Sequence, residues 1–197
     1  MGSYTDAAFE LPFMSESEYD AAVEVIDAVV EAMPEYKGIL YGQFMLTTEG
    51  PNVVEFNARF GDPEAMNTLP VLETDFVELL VAAREGTDLP ELSFAEQATV
   101  CKYAVPDGYP TDPVAGAKVD IDAESAGDAH LFYASVDARK EGIYTTTSRS
   151  FAVVGVADSI AESEAIVEAA FDRTGTEGLR VRHDIGKADL IERRIEH

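Results

Sequence analysis

The sequence predicts a mixed α/β (α+β) fold, in which a part with helices and a hairpin is followed by a mainly β part with one long helix. Two observations lead to this prediction. Apolar residues recur at helical spacing in three stretches, at 15–33, 75–84 and 159–173. Elsewhere, short runs rich in apolar and β-branched residues are separated by turn residues, which is the pattern of strands.

The first helix is predicted after a lead-in of fourteen residues that show no periodicity and are expected to be extended. Ser15 and Glu18 form the S-x-x-E pattern of a capping box, in which side chains and backbone at a helix start bond reciprocally. Apolar residues follow at helical spacing up to Met33. Pro34 ends the run because proline cannot continue a helix.

A hairpin and a second helix are predicted next. The stretch "GILYGQFMLT" has the composition of a buried strand, "TEGPN" that of a turn, and "VVEF" that of a returning strand. We therefore predict an antiparallel hairpin. The second helix is predicted from Asp75 to Arg84, with one apolar face made of Phe76, Leu79, Leu80 and Ala83.

The β-rich part begins after a turn-rich segment at 86–97, so we expect domains at 1–97 and 98–197. Strands are predicted in "ATVCKYAV", "AKVDI", "HLFYASV", "GIYTTTS" and "SFAVVGV". An amphipathic helix is predicted from Ser159 to Arg173, followed by a last short strand in "GLRVRHDIG". Lys187 and Arg193-Arg194 fall in a charged terminal helix and are expected to be solvated.

The charge balance restricts the partners. The 197 residues include 38 acidic and 14 basic residues, which gives a formal net charge of -24. A field of this sign repels nucleic acid and anionic membranes, so neither is expected as a partner. Such a surface is typical either of a solubilising coat or of adaptation to high salt, where screening removes the self-repulsion, and we favour salt adaptation. Because no leader and no bilayer-length apolar run is present, we expect a cytoplasmic protein. The single cysteine, Cys101, excludes an internal disulfide and is expected to be packed in a strand.

The stretch "NVVEFNARFGDPE", Asn52 to Glu64, contains the candidate site. Alternation along a strand places Val53, Glu55 and Asn57 on one face. The opposite face, made of Val54, Phe56 and Ala58, is apolar and is expected to pack on the core.

Glu55 and Asn57 stand about 7 Å apart along such a strand. Their oxygens can therefore reach one or two hard cations such as Mg²⁺, which prefers few protein ligands and substrate phosphates. Arg59 follows with a planar guanidinium suited to phosphate or carboxylate. Taken alone, the tripeptide "EFN" is more typical of the wet face of an amphipathic strand.

Other candidate residues have a weaker pattern. His130, His183 and His197 lack ligand spacing and are expected to be structural or exposed. For Arg149, in "TTSRSF", a surface turn is favoured over a position facing the active-site cleft. The sequence contains no glycine-rich loop of the Walker or dinucleotide type.

The longer stretch "GILYGQFMLTTEGPNVVEFNARFGDPE" closely resembles the phosphoribosylamine–glycine ligases, also called glycinamide ribonucleotide synthetases. That family shows L-Y-x-x-x-M followed by E-F-N-x-R-F-G-D-P-E. "RHDIG", Arg182 to Gly186, is similar to the family's closing R-x-D-I-G, and "AVPDGYP", Ala104 to Pro110, resembles a segment of its C-terminal domain. The resemblance covers essentially the whole sequence but only the C-terminal half of the family's chain. It implies the C-terminal part of an ATP-grasp fold followed by a small, mainly β domain.

The resemblance also implies a reaction and a role for each matching residue. The family joins glycine to 5-phosphoribosylamine in purine synthesis, at the expense of ATP and through glycyl phosphate. Glu55 and Asn57 match its two ligands for Mg²⁺ or Mn²⁺. Arg59 matches a residue that contacts the transferring phosphate or the acyl phosphate. Asp62 and Glu64 match positions for loop order or substrate contact.

Two features depart from the family's pattern. Other ATP-grasp enzymes have a further metal carboxylate twelve residues before the glutamate, where this sequence has Gln43, which is not counted as a ligand. The lead-in "MGSYTD" resembles an interior stretch of the full-length family chain. The missing N-terminal half is therefore expected as a partner, and the 197-residue chain alone is expected to be inactive or nearly so.

Two alternatives to this ligase remain open from the sequence. One is another ATP-grasp carboxylate–amine ligase with a different acid or amine. The other is a non-catalytic remnant or interaction module that retains the fold.

Overall fold

The computed structural model describes residues 1–8, 11–121 and 123–196. The strands are β1 Gly2–Thr5, β2 Tyr41–Thr47, β3 Gly50–Asn57, β4 Ala98–Pro106, β5 Lys118–Val119, β6 His130–Tyr133, β7 Val136–Arg139, β8 Gly142–Thr145, β9 Phe151–Ala157 and β10 Leu179–Val181. The helices are α1 Glu16–Ala32, α2 Glu64–Thr68, α3 Phe76–Glu85, α4 Ala123–Ala126, α5 Ile160–Asp172 and α6 Ala188–Ile195. This combination confirms the predicted class of mixed helix and sheet. Within the described parts of the chain, no helix is long and apolar enough to cross a bilayer.

The largest sheet is antiparallel, with strand order β1-β4-β9-β6, and β10 also pairs with β4. All nine residues of β4 are buried, and their side chains alternate between two apolar clusters. Val100 lies in the main core with α5, whereas Cys101 and Tyr103 lie in a smaller cluster on the opposite face. Helix α5 approaches β9 so closely that a Cβ on Gly155 would lie 2.1 Å from the Ser163 carbonyl oxygen. Glycine is therefore needed at that position.

A buried ionic network connects β4 to α5 and to the C-terminal segment. Lys102 is fully buried, and its Nζ donates to Glu164 Oε1 and Glu168 Oε1 at 2.6 Å each and to the His183 carbonyl oxygen at 3.0 Å. Lys187 Nζ lies 2.7 Å from Glu164 Oε1, and His183 Nδ1 lies 2.8 Å from Glu168 Oε2. The expectation that Lys187 is only solvated is therefore wrong, because Glu164 faces it.

The electrostatic effect of this network is visible at Glu168. Burial alone would raise the pKa of this carboxyl, but hydrogen bonds from Lys102 and His183 outweigh burial and hold its pKa below the usual range. The carboxylate is thus kept charged at the edge of the core.

The terminal helix α6 contacts the start of the chain. Arg193 is exposed, as expected, and pairs only loosely with Asp189 at 3.3 Å. Arg194 is not simply solvated, since its Nη1 donates to the Tyr4 hydroxyl at 3.2 Å and its guanidinium lies over the Phe13 ring.

Helix α1 begins as predicted and lies against the β2–β3 hairpin. Ser15 Oγ accepts from the Glu18 backbone N–H, and Glu18 Oε2 accepts from the Ser15 N–H at 2.8 Å, so both halves of the capping box are present. Ile26 packs on the hairpin at Gly42, where an added Cβ would lie 2.6 Å from its Cδ1. The antiparallel pairing of β2 with β3 confirms the predicted hairpin.

The structure differs from the prediction at several strands. Part of the predicted lead-in forms β1, which pairs with β4 over Thr99 to Lys102; residues 9 and 10 lie outside the described residues. The stretch "HLFYASV" does not form one strand, because β6 pairs with β9 while β7 pairs with β8. The domain boundary at 86–97 stays a prediction. It lies between α3 and β4, and the pairing of β1 with β4 crosses it.

Candidate active site

The register of the hairpin gathers polar side chains on one face. Tyr41 is paired with Asn57, and Gln43 is paired with Glu55. Side chains of directly paired residues lie on the same face of a sheet, so these four side chains are neighbours. We call this group the polar face; it is opposite to the side on which Gly42 contacts α1.

A β-bulge changes which residues belong to that face. The pairing shifts between Gln43 and Phe44, so that Val53 is paired with Phe44 and Val54 is the additional residue. The prediction that Val53 shares a face with Glu55 is therefore wrong, because the bulge interrupts the alternation.

The apolar side of the hairpin is only partly covered. Val54 is 53% exposed and Phe56 is 37% exposed, and Ala58 is exposed as well. The expectation that these residues pack on a core is not met in the described chain, where α1 is the element that contacts this side.

Glu55 and Asn57 converge on each other. Asn57 Nδ2 donates to Glu55 Oε1 at 2.8 Å. Because this bond uses the nitrogen of the amide, the amide oxygen is the atom that stays available for a cation beside the carboxylate. Carboxylate and amide oxygens are the ligands that Mg²⁺ and Mn²⁺ prefer, so the donor set fits a hard divalent cation.

The site offers few ligands from the protein itself. Among the described residues, no group of three His, Cys, Asp or Glu side chains is placed to hold a metal ion. Gln43, paired with Glu55, adds a second neutral amide rather than a second charge. Such a sparse shell suits Mg²⁺, which usually completes its coordination with water and substrate phosphates.

Arg59 lies just beyond the end of β3 and is exposed. Its Nη1 donates to the Phe60 carbonyl oxygen at 2.8 Å. A guanidinium has five N–H donors, so this single bond leaves donors for an anion.

Glu64, the first residue of α2, returns toward the polar face. Its side chain lies beside the ring of Tyr41, the pairing partner of Asn57. Burial, followed by the nearby charge of Glu64, raises the pKa of Tyr41 to about 12. The structure thus brings Glu64 to the same face as Glu55 and Asn57.

Asp62 instead turns toward the large sheet. Tyr103 donates its hydroxyl to Asp62 Oδ1 at 2.8 Å, and Arg149 Nη2 lies 3.1 Å from Asp62 Oδ2. Arg149 Nη1 also donates to the Asp62 carbonyl oxygen at 3.0 Å. Burial and the bond to Asp62 raise the pKa of Tyr103, which keeps its hydroxyl a donor. The interpretation of Arg149 as a surface turn is wrong, because its side chain is only 24% exposed and binds this loop.

Tyr41 and Tyr103 were not among the predicted site residues. Tyr41 precedes Gln43 by two residues, so strand alternation is a signal that places it on the polar face. Tyr103 gives no such signal, since its partner Asp62 is 41 residues away in sequence.

The histidines remain outside the site, as far as the structure describes them. His130 is exposed with its ring tilted against that of Phe132, and His183 belongs to the ionic network of Lys102. His197 lies outside the described residues.

Two family models match this chain. The model for the phosphoribosylglycinamide synthetase ATP-grasp (A) domain matches residues 1–65, and that for the phosphoribosylglycinamide synthetase C domain matches residues 99–188. The polar face and Asp62 lie in the first match, and Tyr103 and Arg149 lie in the second.

Curated proteins with similar sequences include several phosphoribosylamine–glycine ligases. The chain is 50% identical over 204 residues to the phosphoribosylamine–glycine ligase of Methanosarcina barkeri and 48% identical over 204 residues to that of Methanocaldococcus jannaschii. Each alignment covers 100% of this chain but 46% of the relative. The chain therefore spans about half the length of these relatives.

Solved structures show the same fold. Phosphoribosylamine–glycine ligase from Thermotoga maritima has a TM-score of 0.77 at 22% identity, covering 94% of this chain and 46% of its own. N5-carboxyaminoimidazole ribonucleotide synthetase from the same organism has a TM-score of 0.55 at 20% identity, covering 85% of this chain and 43% of its own. With the ATP-grasp match, these likenesses confirm the expected ATP-grasp fold.

The matches of 1–65 and 99–188 are to two domains of one enzyme family, and the curated relatives align with the chain over its full length. The chain belongs to the phosphoribosylglycinamide synthetase family.

Proposed function

We propose that this chain forms the C-terminal part of an ATP-dependent ligase that joins glycine to 5-phosphoribosylamine in purine synthesis. The observation that carries the proposal is the convergence of Glu55 and Asn57 on an exposed face of the hairpin, at 2.8 Å from each other. The family membership supplies the reaction class, because the curated relatives are named phosphoribosylamine–glycine ligases.

In the proposed reaction, the terminal phosphoryl group of ATP moves to the glycine carboxylate and forms glycyl phosphate. The amine of phosphoribosylamine then attacks the acyl carbon, and phosphate leaves. Glu55 and Asn57 would hold Mg²⁺ or Mn²⁺, which supplies positive charge to the phosphate oxygens during transfer. Arg59, exposed at the end of β3, would bind the phosphoryl or acyl phosphate group through its free N–H donors.

In this proposal, Asp62 and Glu64 act mainly by their contacts with other residues of the protein. The contacts of Asp62 with Tyr103 and Arg149 favour a role in loop order over contact with substrate. Glu64 lies near Tyr41 and adds negative charge beside the polar face.

We also propose that the rest of the enzyme covers the apolar surface of the first part of the chain. Of the 20 exposed large apolar side chains among the described residues, 15 lie between residues 19 and 92. One open, apolar face of α1 consists of Ala21, Val25, Ala28, Val29 and Met33. Exposed apolar surface of this extent is typical of an interface. The remaining half of the ligase is the partner that the 46% coverage favours.

The test mixes the purified chain with the part of the Methanosarcina barkeri ligase that the alignment does not cover, made as a separate polypeptide. ADP formation from ATP, glycine and phosphoribosylamine is measured in low and in molar KCl, because we propose that the net charge of -24 is an adaptation to a salt-rich cytoplasm. The chain alone is expected to form no ADP, whereas the mixture is expected to be active.

Glu55→Ala is expected to abolish this activity without a change in unfolding free energy, since Glu55 is exposed. The matched control is Glu49→Ala, which removes an exposed carboxylate from the turn of the same hairpin and should leave the rate unchanged. A mixture that stays inactive in molar KCl would favour the alternative, a module that keeps the fold without catalysis.

A further inference from the structure

The loop Gly61–Glu64 joins two differently supported parts of the molecule. On one side it continues β3, whose hairpin contacts α1 and is exposed over most of its length. On the other side it leads into α2, which is fixed to the large sheet. There Asn67, 1% exposed, donates through Nδ2 to Thr99 Oγ1 at 2.9 Å. The position of the polar face relative to the large sheet therefore depends on this loop.

Asp62 is the point at which the large sheet holds the loop. Both carboxylate oxygens are engaged, one by the Tyr103 hydroxyl and the other by Arg149, and the backbone oxygen of Asp62 accepts a second bond from Arg149. Three contacts to one residue restrain both its side chain and its backbone.

The groups that hold Asp62 are themselves fixed. Tyr103 is 2% exposed in the centre of β4. The Arg149 guanidinium lies over the Tyr103 ring, 5.2 Å from its centroid. The peptide group between Arg149 and Ser150 makes two backbone hydrogen bonds. The Arg149 carbonyl oxygen accepts from Ser135 N–H at 2.9 Å, and Ser150 N–H donates to the Ala104 carbonyl oxygen at 3.0 Å. Arg149 thus fixes the loop relative to the large sheet.

We propose that Arg149 and Tyr103 are positioning residues of the ligase site, which act through Asp62 to set where Arg59 and the polar face stand relative to the C-terminal domain. This inference rests on the proposed function. Phosphoryl transfer depends on placement, and a shift of about 1 Å can reduce the rate about 100-fold. Neither residue needs to touch substrate in this role.

The first test measures hydrogen–deuterium exchange in the 197-residue chain itself. Arg149→Met removes two bonds to Asp62, and bonds of a charged group are worth enough to expect exchange about tenfold faster in residues 58–66. Exchange in β9 should stay unchanged, which separates loss of the loop restraint from unfolding. Tyr103→Phe, which deletes only the hydroxyl, should change the same segment to a smaller degree.

The control is Arg139→Met. Arg139 has the same pair of interactions, a salt bridge with Asp137 at 2.8 Å and a place over the Tyr144 ring at 4.4 Å, but it is exposed and distant in the fold. Its substitution should leave exchange in residues 58–66 unchanged. Equal exchange in that segment for wild type and Arg149→Met would overturn the proposal.

The second test uses the active mixture described above. Arg149→Met should lower kcat about 10- to 100-fold while the KM for ATP changes less than about twofold, since the residue acts on placement and not on binding. Arg149→Lys should restore part of the rate. Asp62→Asn combined with Arg149→Met should cost no more than the larger single effect. Additive losses, or an unchanged kcat, would overturn the positioning role.

The proposed function and the positioning role of Arg149 can be refuted independently of each other. An inactive wild-type mixture counts against the proposed function, whereas the exchange measurement still decides whether Arg149 sets the position of the loop.

Discussion

Replacing Lys102 by methionine tests the buried ionic network most directly. The ammonium group is fully buried and has three partners within 3.0 Å, among them the carboxylates of Glu164 and Glu168. Methionine fills a similar volume without the charge, so the main effect of Lys102→Met is to leave two carboxylates without their shared cation.

The expected loss of unfolding free energy is about 3 kcal/mol. Removing one partner from a buried ion pair typically costs about 3–5 kcal/mol because the remaining charge is left uncompensated. The lower end applies here, since Glu164 keeps Lys187 and Glu168 keeps His183, and the Glu164 and Glu168 side chains are 10% and 22% exposed. For comparison, Lys187 is 41% exposed, and its substitution by methionine should cost at most about 1 kcal/mol.

Urea unfolding of the wild type and of both variants measures these differences. The loss for Lys102→Met should be nearly the same in low and in molar KCl, because a buried pair is screened far less than a surface pair. Adding Glu164→Gln to Lys102→Met should recover part of the loss, since it removes an uncompensated charge. Equal losses for Lys102→Met and Lys187→Met, or a loss below about 1 kcal/mol for Lys102→Met, would refute the assignment of the network as a buried support of the fold.

Two more predictions concern single groups. The pKa of Glu168 is held below its usual value of 4.5, so its contribution to stability is complete above that value and is lost as the pH falls through the lower pKa of the folded state. The unfolding free energy should therefore fall less steeply from neutral to acidic pH for Glu168→Gln than for the wild type. Identical dependence on pH in the two proteins would contradict the lowered pKa of Glu168. Burial raises the pKa of the Cys101 thiol to about 12, so a thiol reagent should modify the folded protein negligibly and the urea-unfolded protein fully. Labelling is measured by the absorbance of the chromophore that the reagent releases. Rapid labelling of the native protein would contradict the burial of Cys101 in β4.

Local patterns were enough to predict the elements that a few neighbouring residues determine. The capping box of Ser15 and Glu18 started α1 at the predicted residue, and the apolar periodicity of α5 matched its bounds within one residue. The face shared by Glu55 and Asn57 also followed from alternation, because both lie on the same side of the bulge.

Interactions between distant residues could not be read from such patterns. Strand β1 is four residues long and has no periodicity of its own, and it is ordered by pairing with β4. The bulge at Val54 depends on the register of β2, which composition does not specify. The bond of Arg149 to Asp62 joins residues 87 positions apart, so the local sequence of Arg149 favoured a surface turn and did not reveal this partner.

The pairing of β4 has a consequence for how the molecule tolerates shortening. One long edge of β4 is occupied end to end by two short strands from opposite ends of the sequence, β1 over Thr99 to Lys102 and β10 over Ala104 to Pro106. A polypeptide started at residue 98 would lose the first of these strands and present a row of bare backbone donors and acceptors in the middle of its best-packed sheet. An unpaired strand edge can pair with a strand of a second copy. A C-terminal domain cut from the chain after the segment 86–97 would therefore tend to self-associate.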